Sequence, residues 1–446
     1  MTGNLATFDR THDVKARSWV ESANVPGNEF PVQNLPFGIF RRTGERAFRA
    51  GIAIGDLILD LSAPAVRDLF TGAAAAAAPA VLEPALNALA GLDPAIITAL
   101  RWALFDALTA DEHRAQLEAA LVPMSAAEHA VPFSIGDFTD FYASIFHATR
   151  VGLMYRPQNP LMPNYKYVPV AYHGRSSTIV VDGTPVRRPR GQLRRSEDAP
   201  PVYDVCRRLD YEAEVGFYVG RPTNGDAIGV DAAEAHVFGF TVLNDWSARD
   251  IQTWEYQPLG PFLGKNFATT VSPWVVTMDA LRPFRMPALV RDDGDPAPLP
   301  HLTSARDAAA GGVGIAIEVA IRSAQMRAEG LPPFRLSRSS FGDSYWTFAQ
   351  MLTHHASNGC TLRSGDLMGS GTMSGPGSDM SMWGSLVELS HNGRDELTLP
   401  TGEKRTFIAD GDEIIMRGRC ERPGFASLGF GTCSARLVPA APLRAT

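Results

Sequence analysis

Short runs of β-type residues, closely spaced and separated by turn residues, recur along most of this 446-residue chain. Two examples are residues 37–40 and 57–61, and strands this short and close together indicate a small barrel or meander up to about residue 70. Residues 73–121 are instead rich in alanine and leucine and favour helix, and from Val131 to Cys433 β runs alternate again with glycine and proline turns. The pattern predicts a mainly β, mixed α+β protein with one boundary, which separates residues 1–130 from residues 131–446.

The composition argues against several classes of function. The chain has 41 Lys and Arg against 48 Asp and Glu, a net charge of -7, whereas a general nucleic-acid binder would be basic. Its four cysteines form no C-x-x-C pair, which excludes zinc-ribbon spacings and favours a reducing compartment. No apolar run is long enough to cross a membrane, and the G-x-S-x-G, H-E-x-x-H and Walker motifs are absent. We therefore expect a cytoplasmic protein with neither nucleic-acid nor membrane partners.

Residues 211–219 alternate between two sets of side chains, as in a β-strand with two distinct faces. Glu212 and Glu214 share one face, where two carboxylates repel each other unless solvent or a cation lies between them. A solvated outer face is the commoner explanation of such a pair, although Gly216 and Tyr218 continue this face and suit simple solvation poorly. Asp245 follows the apolar run 238–243, at a strand end of the kind where enzymes place functional residues. A solvated face and a cation site both remain open.

A helix is predicted to begin at a capping box formed by Ser247 and Asp250. Arg249, Gln252 and Tyr256 then fall at positions i, i+3 and i+7 and share one face of this helix. Such a stripe of hydrogen-bond donors suits a negatively charged or carbonyl-rich ligand.

A further polar segment spans residues 137–147. If it is helical, Asp140 and His147 lie two turns apart on one face, where they can share a metal site or divide into ligand and general base. Taken alone, His147 is more often a structural histidine than a base. Together, Asp140, the Glu212 and Glu214 pair, and Asp245 would form an all-oxygen shell, which prefers Mg²⁺ or Ca²⁺ to zinc.

Several motifs, in order along the chain, resemble those of the fumarylacetoacetate hydrolase family. The matching stretches are residues 33–38, 54–56, 140–142, 172–175, 212–214, 244–252, 258–265, 371–372, 386–389 and 410–413. The likeness runs from about residue 29 to residue 433. The N-terminal matches and the D-F-Y…H segment, from Asp140 to His147, resemble in particular the family members that act on fumarylacetoacetate itself.

This resemblance implies an architecture and a reaction. The expected fold is a small SH3-like N-terminal barrel followed by a large C-terminal mixed β-roll, assembled as a homodimer. The expected reaction is hydrolysis of the C–C bond of 4-fumarylacetoacetate, a diketo acid, to fumarate and acetoacetate, the last step of tyrosine and phenylalanine catabolism.

The resemblance also implies roles for individual residues. The Ca²⁺ ligands would be Asp140, Glu212, Glu214 and Asp245, with a second ion, Mg²⁺, near Asp245, Lys265 and Thr269. His147 would be the general base, oriented by Glu388. The oxyanion donors would be Arg249, Gln252 and Lys265. The substrate would be bound by Tyr142, Arg156, Tyr172, Gln252, Tyr256 and Thr372.

Three alternatives remain open at this point. The same machinery could hydrolyse a related acylpyruvate such as fumarylpyruvate. The chain could also be a carboxylate- or metal-binding protein that has lost the reaction. A decarboxylase or hydratase on the same scaffold is the third.

Overall fold

The computed structural model describes residues 8–196 and 198–442, and it shows a sheet-rich mixed α/β fold. The N-terminal part contains a five-stranded antiparallel sheet, with strands in the order Leu121–Pro123, Leu57–Asp60, Arg49–Ile54, Phe37–Arg42 and Ala127–Ala130. Its two edge strands are not paired with each other in the part of the chain that the structure describes. The first four strands along the chain thus form an antiparallel meander and the fifth returns to pair with the first, and an SH3-like barrel is not confirmed.

One long helix, Pro94–Thr109, accompanies this sheet. It begins with Asp93 as N-cap, whose side chain accepts the N–H of Ala95, and it has proline in the first turn, where a missing N–H costs nothing. Leu100, Leu104 and Leu108 are buried along it at helical spacing. The preceding alanine run forms only the short 3₁₀ helix Gly72–Ala77.

Two larger sheets make up the rest of the protein. An eight-stranded mixed sheet runs in the order Ala171–His173, Phe138–Phe141, Leu367–Gly369, Ala213–Val219, Val237–Asp245, Thr269–Val271 and Ile179–Val181, with Val276–Thr277 also paired to Val237–Asp245. A five-stranded sheet runs in the order Phe334–Ser340, Ala316–Arg322, Glu413–Cys420, Leu428–Val438 and Val186–Arg187.

The eight-stranded sheet is covered on both faces. On one face, Phe217 and Phe240 lie in the main core, together with residues of the five-stranded sheet that contains Ala316–Arg322. On the other face, Tyr218 and Phe238 pack with the N-terminal part, where Phe238 contacts Phe37 at a ring-centroid distance of 5.7 Å. Each fully buried aromatic side chain contributes about 1.5–3 kcal/mol through burial. The central strands are therefore enclosed, so polar groups on them must be satisfied internally.

The remaining elements are short. Four two-stranded ladders pair Arg190–Leu193 with Val202–Val205, Leu209–Asp210 with Ser247–Ala248, Arg285–Met286 with Gly312–Val313, and Leu397–Thr398 with Lys404–Arg405. The other α-helices are Pro64–Arg67, Asn87–Ala90, Arg114–Leu117, Ile145–Tyr155, Val230–Ala233, Arg249–Glu255, Met278–Leu281, Ala305–Ala310, Ala324–Ala328, Phe348–Ala356 and Leu386–Leu389. Within the described residues, no helix has both the length and the apolar character needed to cross a bilayer.

Candidate active site

The eight-stranded sheet brings the four predicted acids together, with Glu212 one residue before the strand Ala213–Val219 and the other three on strands. Asp140 lies on Phe138–Phe141, Glu214 on Ala213–Val219, and Asp245 at the end of Val237–Asp245. The strand Leu367–Gly369 separates the first two, and a Cβ atom on Gly369 would come within 2.6 Å of Asp140 Oδ1 and 2.9 Å of Glu214 Oε2. A side chain at position 369 would therefore displace one or both carboxylates from their present positions.

One oxygen from each of Asp140, Glu212, Glu214 and Asp245 lies within 4.8 Å of the others. All four residues are buried, with 0–6% of their surface exposed. The solvated-face interpretation of Glu212 and Glu214 is therefore wrong, because both carboxylates point into the protein interior. We call this group the acidic cluster.

Lys265 compensates one half of the acidic cluster. Its Nζ donates to Glu212 Oε2 at 2.5 Å and to Asp245 Oδ2 at 2.7 Å. Asp245 also accepts hydrogen bonds from Tyr172 and Thr269. Burial alone would raise the pKa of Glu212, but the charges of Lys265 and Arg249 outweigh it and hold that pKa below its usual range.

The other half of the acidic cluster lacks such a partner. Burial, with the charge of Asp245, raises the pKa of Asp140 to about 8. Burial and the charge of Asp140 raise the pKa of Glu214 well above its usual range. Glu214 Oε2 accepts the N–H of Gly371 at 3.1 Å, whereas Glu214 Oε1 has no hydrogen-bond partner among the described residues.

This donor set fits a hard divalent cation. Four carboxylates face a single ammonium and one shared guanidinium, and a buried carboxylate oxygen is left without a partner. Oxygen ligands of this kind suit Ca²⁺ and Mg²⁺, and a bound cation would remove the repulsion that raises the pKa values of Asp140 and Glu214. The acidic cluster can therefore hold a metal ion.

His147 and Glu388 form a buried pair beside the acidic cluster. His147 Nδ1 lies 2.7 Å from Glu388 Oε2, and that oxygen also accepts hydrogen bonds from Ser374 and Ser385. Burial would raise the pKa of Glu388, but the proximity of His147 outweighs it and lowers that pKa. Since a carboxylate only accepts hydrogen bonds, Nδ1 carries the hydrogen and Nε2 is left as the basic nitrogen.

The path of the chain between Asp140 and His147 differs from the prediction. Residues 137–147 do not form one helix, because Asp140 lies on the strand Phe138–Phe141 and His147 on the helix Ile145–Tyr155, which Ser144 caps. The two side chains nevertheless line one cavity. The strand-to-helix turn brings them together, not a shared helix face.

The helix Arg249–Glu255 also begins differently from the prediction. Ser247 is part of a short strand and donates to the carbonyl of Asp245, and no side chain caps the helix, so the capping-box prediction is wrong. Arg249 is held firmly instead: Nε and Nη2 donate to Asp210 Oδ2 at 3.0 and 2.8 Å, and Nη1 contacts Glu212 at 2.8 Å and Gln252 at 3.2 Å.

A cavity of about 390 Å³ opens beside both groups. Arg156 Nε and Thr372 Oγ1 are buried and have no hydrogen-bond partner in the part of the chain that the structure describes. The predicted residues that line this cavity are Asp140, Tyr142, His147, Arg156, Tyr172, Glu212, Arg249, Gln252, Tyr256, Lys265 and Thr372. Glu388 contacts His147 without lining the cavity, and Glu214 does not line it either. Asp245 and Thr269 line a smaller cavity of about 160 Å³, which shares Tyr172 and Lys265 with the first.

Sequence reasoning missed four residues that hold this site together: Asp210, Arg150, Ser374 and Ser385. Asp210 follows from the alternation of residues 211–219, since one further step toward the N-terminus puts it on the same face as Glu212 and Glu214. The other three bind Glu388 across sequence separations of 3 to 238 residues, and the spacing of residues along the chain does not predict these contacts.

The fold and the cavity together define an enzyme in which a histidine–glutamate pair lies beside a carboxylate cluster that can hold a cation. Family comparisons agree. The family model described as fumarylacetoacetate (FAA) hydrolase C-terminal matches residues 138–438, and the one described as fumarylacetoacetase N-terminal matches residues 33–132. The chain belongs to the fumarylacetoacetate hydrolase family.

Individual relatives are similar over nearly their whole length. The fumarylacetoacetase of Mus musculus is 46% identical over 423 residues, which cover 93% of this chain and 97% of the relative. The fumarylacetoacetase of Oryza sativa subsp. japonica is 42% identical over 437 residues, with 96% and 98% covered. That of Caenorhabditis elegans is 43% identical over 429 residues, with 94% and 98% covered.

Proposed function

We propose that this protein is a metal-dependent hydrolase that cleaves the C–C bond of 4-fumarylacetoacetate to give fumarate and acetoacetate. The observation that carries the proposal is that the His147–Glu388 pair and the acidic cluster meet at one cavity. Such a cavity can bind a diketo acid next to a base and a source of positive charge. The relatives that bear the name fumarylacetoacetase support this choice of substrate.

His147 is proposed as the general base. Its Nε2 takes a proton from water while the water oxygen bonds to the carbonyl carbon of the fumaryl group, the one joined to the methylene of the acetoacetyl part. The C–C bond to the neighbouring methylene then breaks, its electron pair stays on the acetoacetate carbon, and the proton returns there from His147. Glu388 fixes the tautomer and stabilises the imidazolium in between.

Donors on Lys265 and Gln252 are proposed to stabilise the oxyanion. Lys265 uses two of its three N–H groups on Glu212 and Asp245, which leaves one for substrate. Gln252 accepts from Arg249 through Oε1, so its amide N–H groups remain for substrate. Arg249 has most of its N–H groups engaged by Asp210, Glu212 and Gln252, and we therefore propose that it mainly positions Gln252 rather than acting as an oxyanion donor.

The two carboxylates of the substrate need cationic or hydroxyl partners. Arg156 is the natural partner because its buried Nε is unpaired in the described structure and a guanidinium matches a carboxylate geometrically. Tyr142, Tyr256 and Thr372 line the same cavity, and their hydroxyl groups complete the proposed contacts. Tyr172 donates to Asp245, so we propose that it contacts substrate through its ring edge or its hydroxyl oxygen.

A divalent cation held by Asp140, Glu212, Glu214 and Asp245 would supply positive charge next to the diketone oxygens. Ca²⁺ is our first choice, because a cluster of four carboxylates suits its larger coordination number, and Mg²⁺ is the second. Of the side chains predicted for a separate Mg²⁺ site, Lys265 does not fit as a ligand because its ammonium has no free electron pair. Asp245 and the Thr269 hydroxyl do fit, since the hydroxyl keeps its oxygen lone pairs while it donates to Asp245.

Three further features are proposed from the family resemblance: assembly as a homodimer, a cytoplasmic location, and a place at the end of tyrosine and phenylalanine breakdown. The SH3-like character of the N-terminal part and the division at residue 130 also remain predictions.

Product analysis tests the proposal. Purified protein is incubated with fumarylacetoacetate and Ca²⁺ or Mg²⁺, and fumarate and acetoacetate are measured with and without a chelator. We expect equal amounts of the two products, loss of turnover on chelation and recovery when the cation is restored. His147→Gln should lower kcat by roughly 100- to 10,000-fold, the usual contribution of a general base.

The matched control is His113→Gln, the same substitution at a partly exposed surface residue far from the cavity, which should keep wild-type turnover. Faster cleavage of fumarylpyruvate would reassign the substrate. Binding without product release, or release of CO₂ or a hydrated product, would refute the hydrolase proposal. Turnover by His147→Gln at the wild-type rate would show that His147 is not the general base.

A further inference from the structure

Arg150 lies one turn after His147 on the helix Ile145–Tyr155 and reaches across to the acid that pairs with it. Its Nη1 donates to Glu388 Oε1 at 3.2 Å. Its Nη2 donates to the carbonyl oxygens of Gly375 and Gly377, each at 2.7 Å. The guanidinium also stacks over the ring of Trp383, 4.7 Å from its centroid.

Glu388 needs this contact because its other oxygen is already fully used. Oε2 accepts from His147, Ser374 and Ser385, whereas Arg150 is the partner that the structure gives to Oε1. Glu388 is entirely buried, and a carboxylate held by only one oxygen can rotate about its terminal bond. Arg150 restrains this rotation and adds a positive charge that favours the ionised carboxylate.

The two glycine carbonyls belong to a loop that serves the site at two points. This loop carries Thr372, which lines the cavity, and Ser374, which donates to Glu388. Because Arg150 binds the loop and Glu388 with different nitrogens of one planar group, it fixes their relative positions. A lysine has one charged nitrogen at the end of a flexible chain and cannot hold both in the same way.

We propose that Arg150 is a positioning residue for the reaction. It holds Glu388 and the loop 372–377 against the helix that carries His147. The same helix therefore provides both the general base, His147, and the cation, Arg150, that orients Glu388. The inference rests on the proposed function, in which His147 and Glu388 act together.

A double-mutant cycle tests the coupling. Arg150→Gln should lower kcat by roughly 10- to 100-fold, as for other outer partners that orient a functional side chain, and change KM much less. In protein that already carries Glu388→Gln, adding Arg150→Gln should lower kcat by a clearly smaller factor than in the wild-type protein, because only the contacts of Arg150 with the loop are then lost. Two full, multiplying losses would overturn the proposal, and so would wild-type turnover of Arg150→Gln.

The matched control is Arg114→Gln, at an exposed arginine whose ion pair among the described residues is with Glu118, and it should leave kcat unchanged. Thermal unfolding shows whether Arg150→Gln is folded. If Arg150→Gln does not fold, Arg150→Lys is measured instead. The lysine keeps the positive charge and can bind either Glu388 or the loop. This variant should show an intermediate kcat, and full activity would contradict the need for both contacts.

A spectroscopic measurement makes the test independent of turnover. The proton on His147 Nδ1, shared with a buried carboxylate, should give a strongly downfield ¹H NMR signal, identified by its loss in His147→Gln. Arg150→Gln or Arg150→Lys should move or broaden this signal, and Arg114→Gln should not. An unmoved signal would refute the positioning role, even if the protein proved to act on another substrate.

Discussion

Two sets of buried carboxylates lie close to the cavity, and they differ in their hydrogen-bond partners. The first set is Asp210 and Glu388, and the second is the acidic cluster. Asp210 accepts two hydrogen bonds from Arg249 and three from backbone N–H groups, those of Tyr211, Leu386 and Val387. Glu388 accepts four hydrogen bonds, all from side chains. In the acidic cluster, by contrast, Glu214 has one oxygen without a partner among the described residues.

The difference in hydrogen bonding distinguishes carboxylates with a structural role from carboxylates that can bind a ligand. A buried charge is costly unless it is paired, so a fully paired acid is explained by the protein alone. Hydrogen-bond partners lower the pKa of Glu388, and for Asp210 they oppose the burial that raises its pKa, whereas for Glu214 burial and a neighbouring carboxylate both raise the pKa. Removing the two kinds of acid should therefore have opposite effects on the stability of the metal-free protein.

The largest effect is expected at Asp210. Asp210→Ala leaves the buried Arg249 with less compensation and two N–H groups at the start of the helix Leu386–Leu389 without an acceptor. We expect the free energy of unfolding to fall by about 3–5 kcal/mol, as for other broken buried pairs, together with kcat. Denaturant unfolding with chelator present measures the first quantity.

The control is Asp106→Ala, which removes an acid that pairs with Arg10 through two 2.7 Å hydrogen bonds at the surface. Both partners are about half exposed, so the loss should be below about 1 kcal/mol. Equal losses for the two variants would show that burial does not distinguish these carboxylates.

A smaller effect of opposite sign is expected at Glu214. Since the folded state raises the pKa of Glu214, its ionised form destabilises the metal-free protein near neutral pH, and Glu214→Gln should relieve this by about 1 kcal/mol or more. The same change removes a ligand, so Ca²⁺ affinity should fall by roughly 10- to 100-fold. Thermal unfolding without metal and calorimetric Ca²⁺ titration measure the two effects. A less stable metal-free variant with unchanged Ca²⁺ affinity would contradict the assignment.

The comparison also shows what the sequence could predict. The alternation of residues 211–219 placed Glu212 and Glu214 on one face, and the strand 237–245 ended at Asp245 as expected. Local patterns of this kind depend only on the two-residue period of a strand. Whether that face meets water or protein depends on the N-terminal part that covers the sheet, which no local pattern reveals.

Other features depended on contacts between distant segments. The resemblance to a known family predicted the His147–Glu388 pairing, but the spacing of residues 137–147 suggested a helix that does not form. Ser247 matched a capping box by type and spacing, yet strand pairing with Leu209–Asp210 took precedence. Tertiary hydrogen bonds decide such cases, because local capping contributes only about 1 kcal/mol.

The smallest effect extends the comparison to a partly buried, uncharged histidine outside the site. His129 lies on the N-terminal strand Ala127–Ala130, its Nδ1 has no partner in the described structure, and burial lowers its pKa to about 4. Because the unfolded chain binds a proton near pH 6.5 and the folded chain does not, stability is lost as the pH falls below that value. When the pH falls from 7 to 5.5, His129 should lower the free energy of unfolding by about 1 kcal/mol.

The variant His129→Gln tests this expectation, because it cannot take up the proton. The difference in unfolding free energy between wild type and variant should therefore change by that amount over this pH range, with chelator present throughout. A constant difference would mean that water or a side chain compensates the charge of His129, as Lys265 does for Glu212 in the acidic cluster.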